Sequence, residues 1–589
     1  MALPTAPVTR GDLERAAGGS DEELAAWLDQ HAAALLAGNS TLLIPHLDRL
    51  LSLPYQGRPW LELVTAATLF TRSSRDERAW RLLRTARGRF QRAGDRTGLG
   101  CAHYVEGNWQ VTVGDVQDAA RSWQEGRAHL GPHTPAYAHS LANQAWGAYA
   151  SGELGHACTL AQEAVALAVR VGDSRALGTA YTHLAAYEIW VGAFGQAALD
   201  LDRADRAFQG LSDPGERYEW PLALVMTGAV HVLRGRHELA EVSFRQAVTA
   251  AEATGSQWVA GVVHAIRADV CAPRVPQRSI EDGQHALAVL ADVGERWWST
   301  WARVAIGRAL GAQGHRHAAA RTIGEVLDEG GTPPVEGARH LMLLGEQFVD
   351  VDPARAADLF TDAIRRFDQY HAPYWSAHAR ARLALVDRTR STRHWDAARA
   401  TAPHEPAVAH MIRELATLRV CFRSMPTVQV DGREVRFPTR HALHALLLLA
   451  AHSPDGLRAD TLGAHLWPDA DTATQAHRLK TTLWQVRSQL GSAAGRLHRR
   501  TDRVILDLTP DECDLRESVE RARVLLRAAD PDEAEVAATC RALRQPFVVA
   551  DAEEWAAELT RLCDGLVHRL TEGSRRRARR HPVRPATRH

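Results

Sequence analysis

The chain has 589 residues, 45% of them hydrophobic, and it carries 70 Lys and Arg against 70 Asp and Glu. This length predicts several domains or one long repeat array. The zero net charge excludes any argument from overall charge about nucleic acid or membrane partners, so only the local distribution of charge is informative.

Cysteine usage and hydropathy indicate the cellular compartment of the protein. Seven cysteines occur without a CxxC pair, which argues against a disulfide framework or a cysteine zinc site and favours a reducing compartment. The N-terminus has no apolar signal core, and the longest apolar run, Ala442–Ala451, is too short to span a bilayer. We expect a soluble, cytoplasmic protein with no membrane partner.

Small residues recur along the first two-thirds of the chain. Residues 1–97 have the apolar spacing of irregular helical pairs, and a period of about 39 residues follows. The anchors of this period are Gly114, Gly152, Gly192, Gly235, Gly314 and, in the last repeat, Asp352. Alanine stands five residues after each anchor, at Ala119, Ala157, Ala197, Ala240, Ala319 and Ala357. Glycine suits a tight turn and alanine lets two helices approach closely, so the pattern predicts helix–turn–helix repeats.

These repeats resemble tetratricopeptide repeats, most clearly in Ala145–Ala168 and Ala185–Phe208. We assign residues 98–410 to this TPR-like array, with one degenerate turn at Ala272–Gln277. Such solenoids present an extended concave surface, so a peptide, a protein or a second copy of the chain is an expected ligand. We expect the many tryptophans of this region to fill the space between repeats.

The helical period stops near Leu418, and residues 411–510 predict a different domain. An alternating segment with Asp431-Gly432 at its turn predicts a β-hairpin. Three helices follow: one capped by Thr439, one capped near Asp460, and one over 475–490. The segment 495–508 then predicts a second hairpin that turns at Thr501-Asp502.

This order of elements resembles the winged helix of the OmpR type, and in particular SARP-like bacterial transcriptional activators. The resemblance is carried by "FPTRHALHALLLLAAH", "LRADTLGAHLWPDAD" and "AHRLKTTLWQVRSQLG", in that order. It implies double-stranded DNA as partner, two copies on direct repeats, and a loop at 468–474 that touches RNA polymerase. Residues 511–572 resemble a truncated form of the helical domain that follows the winged helix in that family, and residues 573–589 form a basic tail that we expect to be disordered.

The third predicted helix has the composition of a recognition helix. At 100° per residue, Leu479, Leu483, Val486 and Leu490 form one apolar face. Polar side chains cover the remainder and can meet base edges and phosphates. The site that we predict for DNA consists of His477, Arg478, Lys480, Thr481, Trp484, Gln485, Arg487 and Ser488 on this helix and Arg499, Arg500 and Arg503 on the hairpin. Residues 411–510 hold 14 Lys and Arg against 9 Asp and Glu, which agrees with this assignment.

Signatures of other functions are absent from the sequence. The P-loop pattern GxxxxGK[ST] does not occur, and neither does HExxH or another metal-ligand spacing. We find no catalytic constellation, and we expect no enzyme activity, no cofactor and no metal.

The sequence therefore predicts a mainly α protein: a TPR-like α-solenoid, an α+β winged-helix domain and a short helical C-terminal segment. We expect a sequence-specific DNA-binding transcriptional regulator, an activator by its resemblance, whose repeats sense a signal, dimerise or bind a partner. The alternative is a TPR interaction scaffold whose winged helix does not bind DNA. The operator, the target genes and the signal are not encoded in any pattern that we recognise.

Overall fold

The computed structural model describes residues 8–38, 40–132, 134–211, 217–387, 389–402, 406–422, 425–545 and 554–580. The chain forms two compact units. The first comprises Met1–Val386 and Thr401–Ala407, and the second comprises Asp387–Ala400 and Val408–His589. The second unit therefore includes residues 387–400, a segment that the sequence pattern grouped with the repeats.

The first unit is a TPR-like solenoid of antiparallel helix pairs. A 3₁₀ helix spans Ser40–His46, between the second and third α-helices. The α-helices are α1 Arg10–Ala17, α2 Asp21–Gly38, α3 Leu47–Ser52, α4 Pro59–Arg72, α5 Glu77–Ala93, α6 Arg96–Thr112, α7 Val116–His129, α8 Pro135–Ala150, α9 Leu154–Val171, α10 Ser174–Val191, α11 Phe194–Gln209, α12 Trp220–Leu233, α13 His237–Thr254, α14 Gln257–Cys271, α15 Pro276–Val293, α16 Trp297–Ala312, α17 Arg316–Glu329, α18 Pro334–Phe348, α19 Pro353–Gln369 and α20 Pro373–Val386.

The glycine anchors lie at the predicted turns. Gly114, Gly152, Gly192, Gly235 and Gly314 all have positive φ and join the two helices of a repeat. At Gly192 a side chain is excluded for a second reason, because a Cβ would come 2.5 Å from the Cβ of Tyr374. The prediction of glycine turns is confirmed at these five positions.

The alanine positions bring the paired helices together. Ala119, Ala157, Ala197, Ala240 and Ala319 are at most 2% exposed. In the last repeat the pattern moves by one residue, since Ala356 is buried and the predicted Ala357 is only half-buried. Asp352 begins this repeat as the N-cap of α19, where its side chain accepts a hydrogen bond from the Arg355 backbone N–H.

Distant repeats of the solenoid touch one another. The Ser74 N–H donates to the Val293 carbonyl over 2.8 Å, and the Arg296 N–H donates to the Thr112 carbonyl over 3.1 Å. The Tyr149 hydroxyl donates to Glu336 over 2.7 Å, although the two residues are 187 positions apart. The solenoid therefore winds tightly enough for repeats about 180 to 220 residues apart to be in contact.

Tryptophans fill the interior of this winding. Trp146 and Trp297 have ring centroids 4.7 Å apart, and Trp190 and Trp375 have centroids 5.2 Å apart. We expected these side chains to pad neighbouring repeats. Some do so, as Trp80 and Trp109 on adjacent helices have centroids 4.2 Å apart. The structure also pairs tryptophans from repeats that are far apart in the chain, and these connect one side of the winding to the other.

The second unit combines helices with two small sheets. The helices with most of their residues in this unit are α21 Ser391–Thr401, α22 Pro406–Glu414, α23 Arg440–Ala451, α24 Ala459–Leu466, α25 Thr472–Leu490, α26 Asp514–Arg527, α27 Glu533–Leu543 and α28 Glu554–Arg580. The strands are β1 Leu418–Cys421, β2 Thr427–Val430, β3 Arg433–Glu434, β4 Leu457–Arg458, β5 Leu497–Arg500 and β6 Arg503–Leu506. Short 3₁₀ helices span Gly491–Arg496 and Pro510–Glu512.

Both predicted hairpins are present. The first sheet has the order β1-β2-β3, all antiparallel, and its turn has positive φ at Asp431 and Gly432. The second has the order β4-β6-β5, and Thr501 has φ of 57° at the turn between β5 and β6. Strand β4 was not predicted, because two residues are too few to show an alternating pattern.

Three boundaries differ from those we predicted. Asp460 lies in the first turn of α24, whose N-cap is Arg458. Helix α25 begins at Thr472 rather than at 475, because Asp471 caps it by accepting a hydrogen bond from the Thr474 N–H. Helix α28 continues to Arg580, into the segment expected to be a disordered tail, and residues 581–589 lie outside the described residues.

Candidate functional site

Helix α25 is held in the second unit by one face. Leu479, Val486 and Leu490 are at most 5% exposed, as predicted, and Thr482 is buried with them. Leu483, which we placed on the same face, is only half-buried. The buried face of α25 therefore differs slightly from the predicted one, because it includes a threonine that the sequence analysis did not place on it.

The opposite face of α25 is open. His477, Arg478, Lys480, Thr481, Trp484 and Ser488 are all exposed. Trp484 is 65% exposed, which is unusual for an aromatic side chain of this size. An indole held in water on a rigid helix loses hydrophobic stabilisation that a partner could restore.

Two predicted DNA contacts of α25 instead have partners inside the unit. Gln485 is half-buried and accepts a hydrogen bond from the Thr439 hydroxyl over 3.1 Å. Arg487 donates to the Leu497 carbonyl over 3.2 Å and lies 3.6 Å from the Asp396 carboxylate. These two side chains fix the helix against its neighbours.

The three predicted arginines of the hairpin β5–β6 are all exposed, but only two of them lack a partner among the described residues of the unit. Arg499 and Arg500 are exposed on β5. Arg503 donates from Nη1 to the carbonyls of Asp455 and Gly456, over 3.0 and 2.7 Å, and so ties the hairpin to the loop after α23. Arg503 thus has a structural contact that the sequence pattern did not indicate.

Four cations remain unpaired on this surface. Within the described part of the chain, Arg478, Lys480, Arg499 and Arg500 form no ion pair and no side-chain hydrogen bond. Other arginines of this unit do have ion-pair partners, as Arg521 has Glu517 and Arg523 has Glu520. Unpaired cations beside exposed polar side chains form a surface that can receive an anionic polymer.

The base of the hairpin is fixed by a buried arginine that the sequence analysis did not single out. Arg496 is 1% exposed, and it donates to the Glu512 carboxylate over 2.7 Å and to the Arg413 carbonyl over 2.9 Å. It also donates to the Ala416 carbonyl. A run of arginines in sequence does not show which of them folds inward, so no pattern could have revealed this role.

The segment before α25 is anchored by Gln475. Its side-chain amide donates to the carbonyls of Trp467 and Ala470, over 2.9 and 2.8 Å. Gln475 therefore shapes the turn at 468–471 and is not available to a base edge.

The solenoid has a candidate site of its own, a cavity of about 290 Å³. Its walls come mainly from α4, α6, α8, α10, α12, α14 and α16, the first helices of successive pairs. Nine lining residues are Trp, Tyr or Phe, and polar and charged ones such as Asn108, Asn143, Arg175 and Glu219 lie among them. A volume of this size suits a small ligand or a short segment of chain.

A buried carboxyl group supports one wall of the cavity. Glu295 is 5% exposed and accepts hydrogen bonds from the backbone N–H groups of Trp297 and Trp298, over 3.0 and 2.7 Å. Burial raises its pKa to about 8, although these hydrogen bonds favour the ionised form. Glu295 therefore caps α16 and holds the two tryptophans against the cavity.

Comparison with protein families and curated proteins found no match. Among the described residues, no helix combines the length and apolarity needed to cross a bilayer.

Several solved structures align with part of this chain. A Rap protein complexed with competence and sporulation factor is 14% identical over 63% of this chain and all of its own, with a TM-score of 0.40. The APC/C hetero-tetramer Cut9–Hcn1 is 12% identical over 64% of this chain and 67% of its own, with a TM-score of 0.43. A tetratricopeptide repeat protein from Parabacteroides merdae is 17% identical over 46% of this chain and 96% of its own, at 0.28.

These likenesses are too distant to carry a functional argument. That the chain contains a TPR-like solenoid follows from the helix pairs and glycine turns described above. None of the comparisons bears on DNA binding, so the winged-helix and SARP assignments stay predictions.

Proposed function

We propose that this protein is a DNA-binding transcriptional regulator. Helix α25 would lie in the major groove, and the hairpin β5–β6 would grip the adjacent backbone, as in a winged helix. The observation that carries the proposal is the open face of α25, with Trp484 and two unpaired cations, beside a hairpin with two more.

The exposed side chains have the chemistry for two kinds of contact. Arg478, Lys480, Arg499 and Arg500 would neutralise phosphates or grip guanine. His477, Thr481 and Ser488 offer donors and acceptors that can meet base edges in the major groove. Trp484 would pack on a sugar or a thymine methyl group. Gln485, Arg487 and Arg503 would position these groups rather than contact DNA.

The resemblance to SARP-like activators extends the proposal to assembly. Two copies would bind direct repeats, and the segment 468–474, which includes the first residues of α25, would touch RNA polymerase. In this arrangement the solenoid would sense a signal or recruit a partner, and we place no enzymatic step in it.

The test is binding of the full chain to a fluorescein-labelled random-sequence duplex, followed by anisotropy. We compare wild type with the double variants Arg478→Ala/Lys480→Ala and Arg499→Ala/Arg500→Ala. The control is Arg521→Ala/Arg523→Ala on α26, which removes the same charge from arginines that already have partners. The proposal expects both test variants to weaken binding while the control does not. Equal weakening by all three would indicate a nonspecific charge effect.

The second candidate is an interaction scaffold that does not bind DNA. The aromatic cavity of the solenoid favours it, because solenoids of this kind hold ligands on their inner surface. Absence of binding to any duplex at low salt would support this candidate over the first. A library of defined peptides and small molecules would then be screened for ligands that raise the unfolding temperature of wild type and of Trp146→Ala. A ligand that stabilises only the wild type would identify the cavity as the site.

A further inference from the structure

The lining of the solenoid cavity includes a carboxylate with an open oxygen. Glu219 is the N-cap residue of α12, is half-buried, and accepts a hydrogen bond from the Thr179 hydroxyl on Oε2. Within the described part of the chain, its Oε1 accepts no hydrogen bond and its side chain forms no ion pair. A carboxylate binds donors most strongly when they carry positive charge, so Glu219 keeps capacity for a cationic group.

The other charged groups of the lining are engaged or neutral. Both oxygens of Glu295 accept backbone N–H groups of α16, and burial raises the pKa of this carboxyl to about 8. Arg175 already has a partner, and among the described residues it forms no ion pair with Glu219. His139 is 7% exposed, and burial lowers its pKa, so its imidazole is neutral at pH 7. Glu219 therefore supplies an unmatched negative charge to the cavity.

The neutral polar groups of the lining mostly bond one another or the backbone. The Tyr104 side chain is hydrogen-bonded to those of Asn108 and Asn143, and Asn143 Nδ2 donates to Asn108 Oδ1 over 2.9 Å. Three hydroxyls donate to backbone carbonyls of their own helices, those of Thr71, Thr112 and Thr182. These groups select a ligand less strongly than the charge of Glu219 does.

Aromatic rings lie near this carboxylate. Tyr218 is its neighbour in the chain, and the Tyr218 ring lies 6.3 Å from that of Trp258, centroid to centroid, with the planes 14° apart. Burial and the charge of Glu219 together raise the pKa of Tyr104 to about 12, and the same two causes raise that of Tyr218. The faces of aromatic rings carry partial negative charge and attract cations. The rings and the carboxylate therefore favour the same kind of ligand.

We propose that the solenoid cavity binds a small organic ammonium ion with an apolar body. The ammonium group would pair with Glu219 Oε1 beside the rings of Tyr218 and Trp258, and the body would lie against the remaining aromatic wall. The cavity volume of about 290 Å³ suits a small ligand of this kind. The inference rests on the proposed role of the solenoid in sensing a signal, and it is independent of whether the second unit binds DNA.

The test is calorimetric titration of the full chain at pH 7 with 2-phenylethylamine and with 2-phenylethanol. The two probes share the phenyl ring and the two-carbon chain, but only the amine carries a positive charge. We expect the amine to bind about tenfold more tightly, because only the ammonium group gains the ion pair and the attraction of the ring faces. Glu219→Gln keeps an acceptor for the Thr179 hydroxyl, and in this variant the two probes should bind alike.

The matched control is Glu163→Gln, which removes the same charge from an exposed position on α9 outside the cavity lining and should keep the preference for the amine. If Glu219→Gln does not fold, the two probes on wild type still decide the matter. Equal affinity of wild type for both probes, no binding of the amine, or loss of the preference in both variants would overturn the proposal.

A third probe separates a cation from a zwitterion. Free phenylalanine adds a carboxylate to the amine probe, and we expect it to bind more weakly because this carboxylate would lie near that of Glu219. Tighter binding of phenylalanine than of 2-phenylethylamine would overturn the proposal in favour of an amino acid that also engages Arg175. All of these outcomes leave the anisotropy test of DNA binding unaffected.

Discussion

Replacing Tyr149 by Phe should loosen the solenoid by a predictable amount. The Tyr149 hydroxyl donates to Glu336 over 2.7 Å, and both side chains are 2% exposed. Burial raises the pKa of Glu336 to about 8, so its carboxyl is largely protonated at neutral pH. Removing the hydroxyl leaves a buried carboxyl oxygen without its partner, which costs about 1–3 kcal/mol of unfolding free energy.

The assay is urea unfolding at pH 7, followed by tryptophan fluorescence. The interior tryptophans report directly on this part of the solenoid, since Trp297 has its ring centroid 6.1 Å from that of Tyr149. We expect a lower midpoint with an unchanged slope, because the surface exposed on unfolding stays the same.

The matched control is Tyr137→Phe. Tyr137 is half-buried, and its hydroxyl forms no hydrogen bond among the described residues. It should lose no more than a few tenths of a kcal/mol. If Tyr149→Phe is as stable as Tyr137→Phe, the contact between repeats 187 residues apart does not stabilise the solenoid, and the tight winding described above is wrong.

Three further predictions follow from the same structure. If Arg478, Lys480, Arg499 and Arg500 contact phosphates as proposed, the slope of log K against log salt should be about −3.6 for one copy, and each double variant should make it shallower by about 1.8. A slope near zero in an anisotropy titration would contradict phosphate contacts. Burial raises the pKa values of Glu188, Glu295 and Glu336 above the ordinary value of 4.5, each to about 8. The contribution of these carboxyls to stability is therefore complete below pH 4.5 and is lost as the pH rises towards 8. The free energy of unfolding should fall between pH 5 and pH 8.5, and it should fall less in Glu295→Gln. Arg496→Met leaves the Glu512 carboxylate and two backbone carbonyls without their donor. The free energy of unfolding of the second unit should fall by about 3–5 kcal/mol. Thermal unfolding indistinguishable from wild type would show that these contacts are dispensable.

Local patterns predicted most of the elements. The turns at the glycine anchors could be predicted because each depends only on the positive φ of one glycine. The first hairpin turn could be predicted because it depends on two residues, Asp431 and Gly432. Helix caps such as Thr439 are equally local. These predictions succeeded because each depends on a backbone conformation that one or two residues determine.

The contacts between distant repeats could not be predicted in this way. Nothing in the sequence near Trp146 indicates that it meets Trp297, because the pairing depends on how far each repeat rotates relative to the last. The partners of Arg503 could not be predicted from local sequence either. Its carbonyl partners belong to a loop that only strand pairing brings close. Composition predicted eleven DNA contacts, and the structure leaves nine of them exposed, although Arg503 among these donates to two backbone carbonyls.

The most direct test of the central claim is selection of random genomic DNA fragments by the purified full chain, followed by sequencing of the retained fragments. The account predicts enrichment of a repeated motif, lost in Arg478→Ala/Lys480→Ala and in Arg499→Ala/Arg500→Ala and kept in Arg521→Ala/Arg523→Ala. Retention without a shared motif, or a motif that both test variants still select, would contradict sequence recognition by α25 and leave the solenoid as the functional part of the chain.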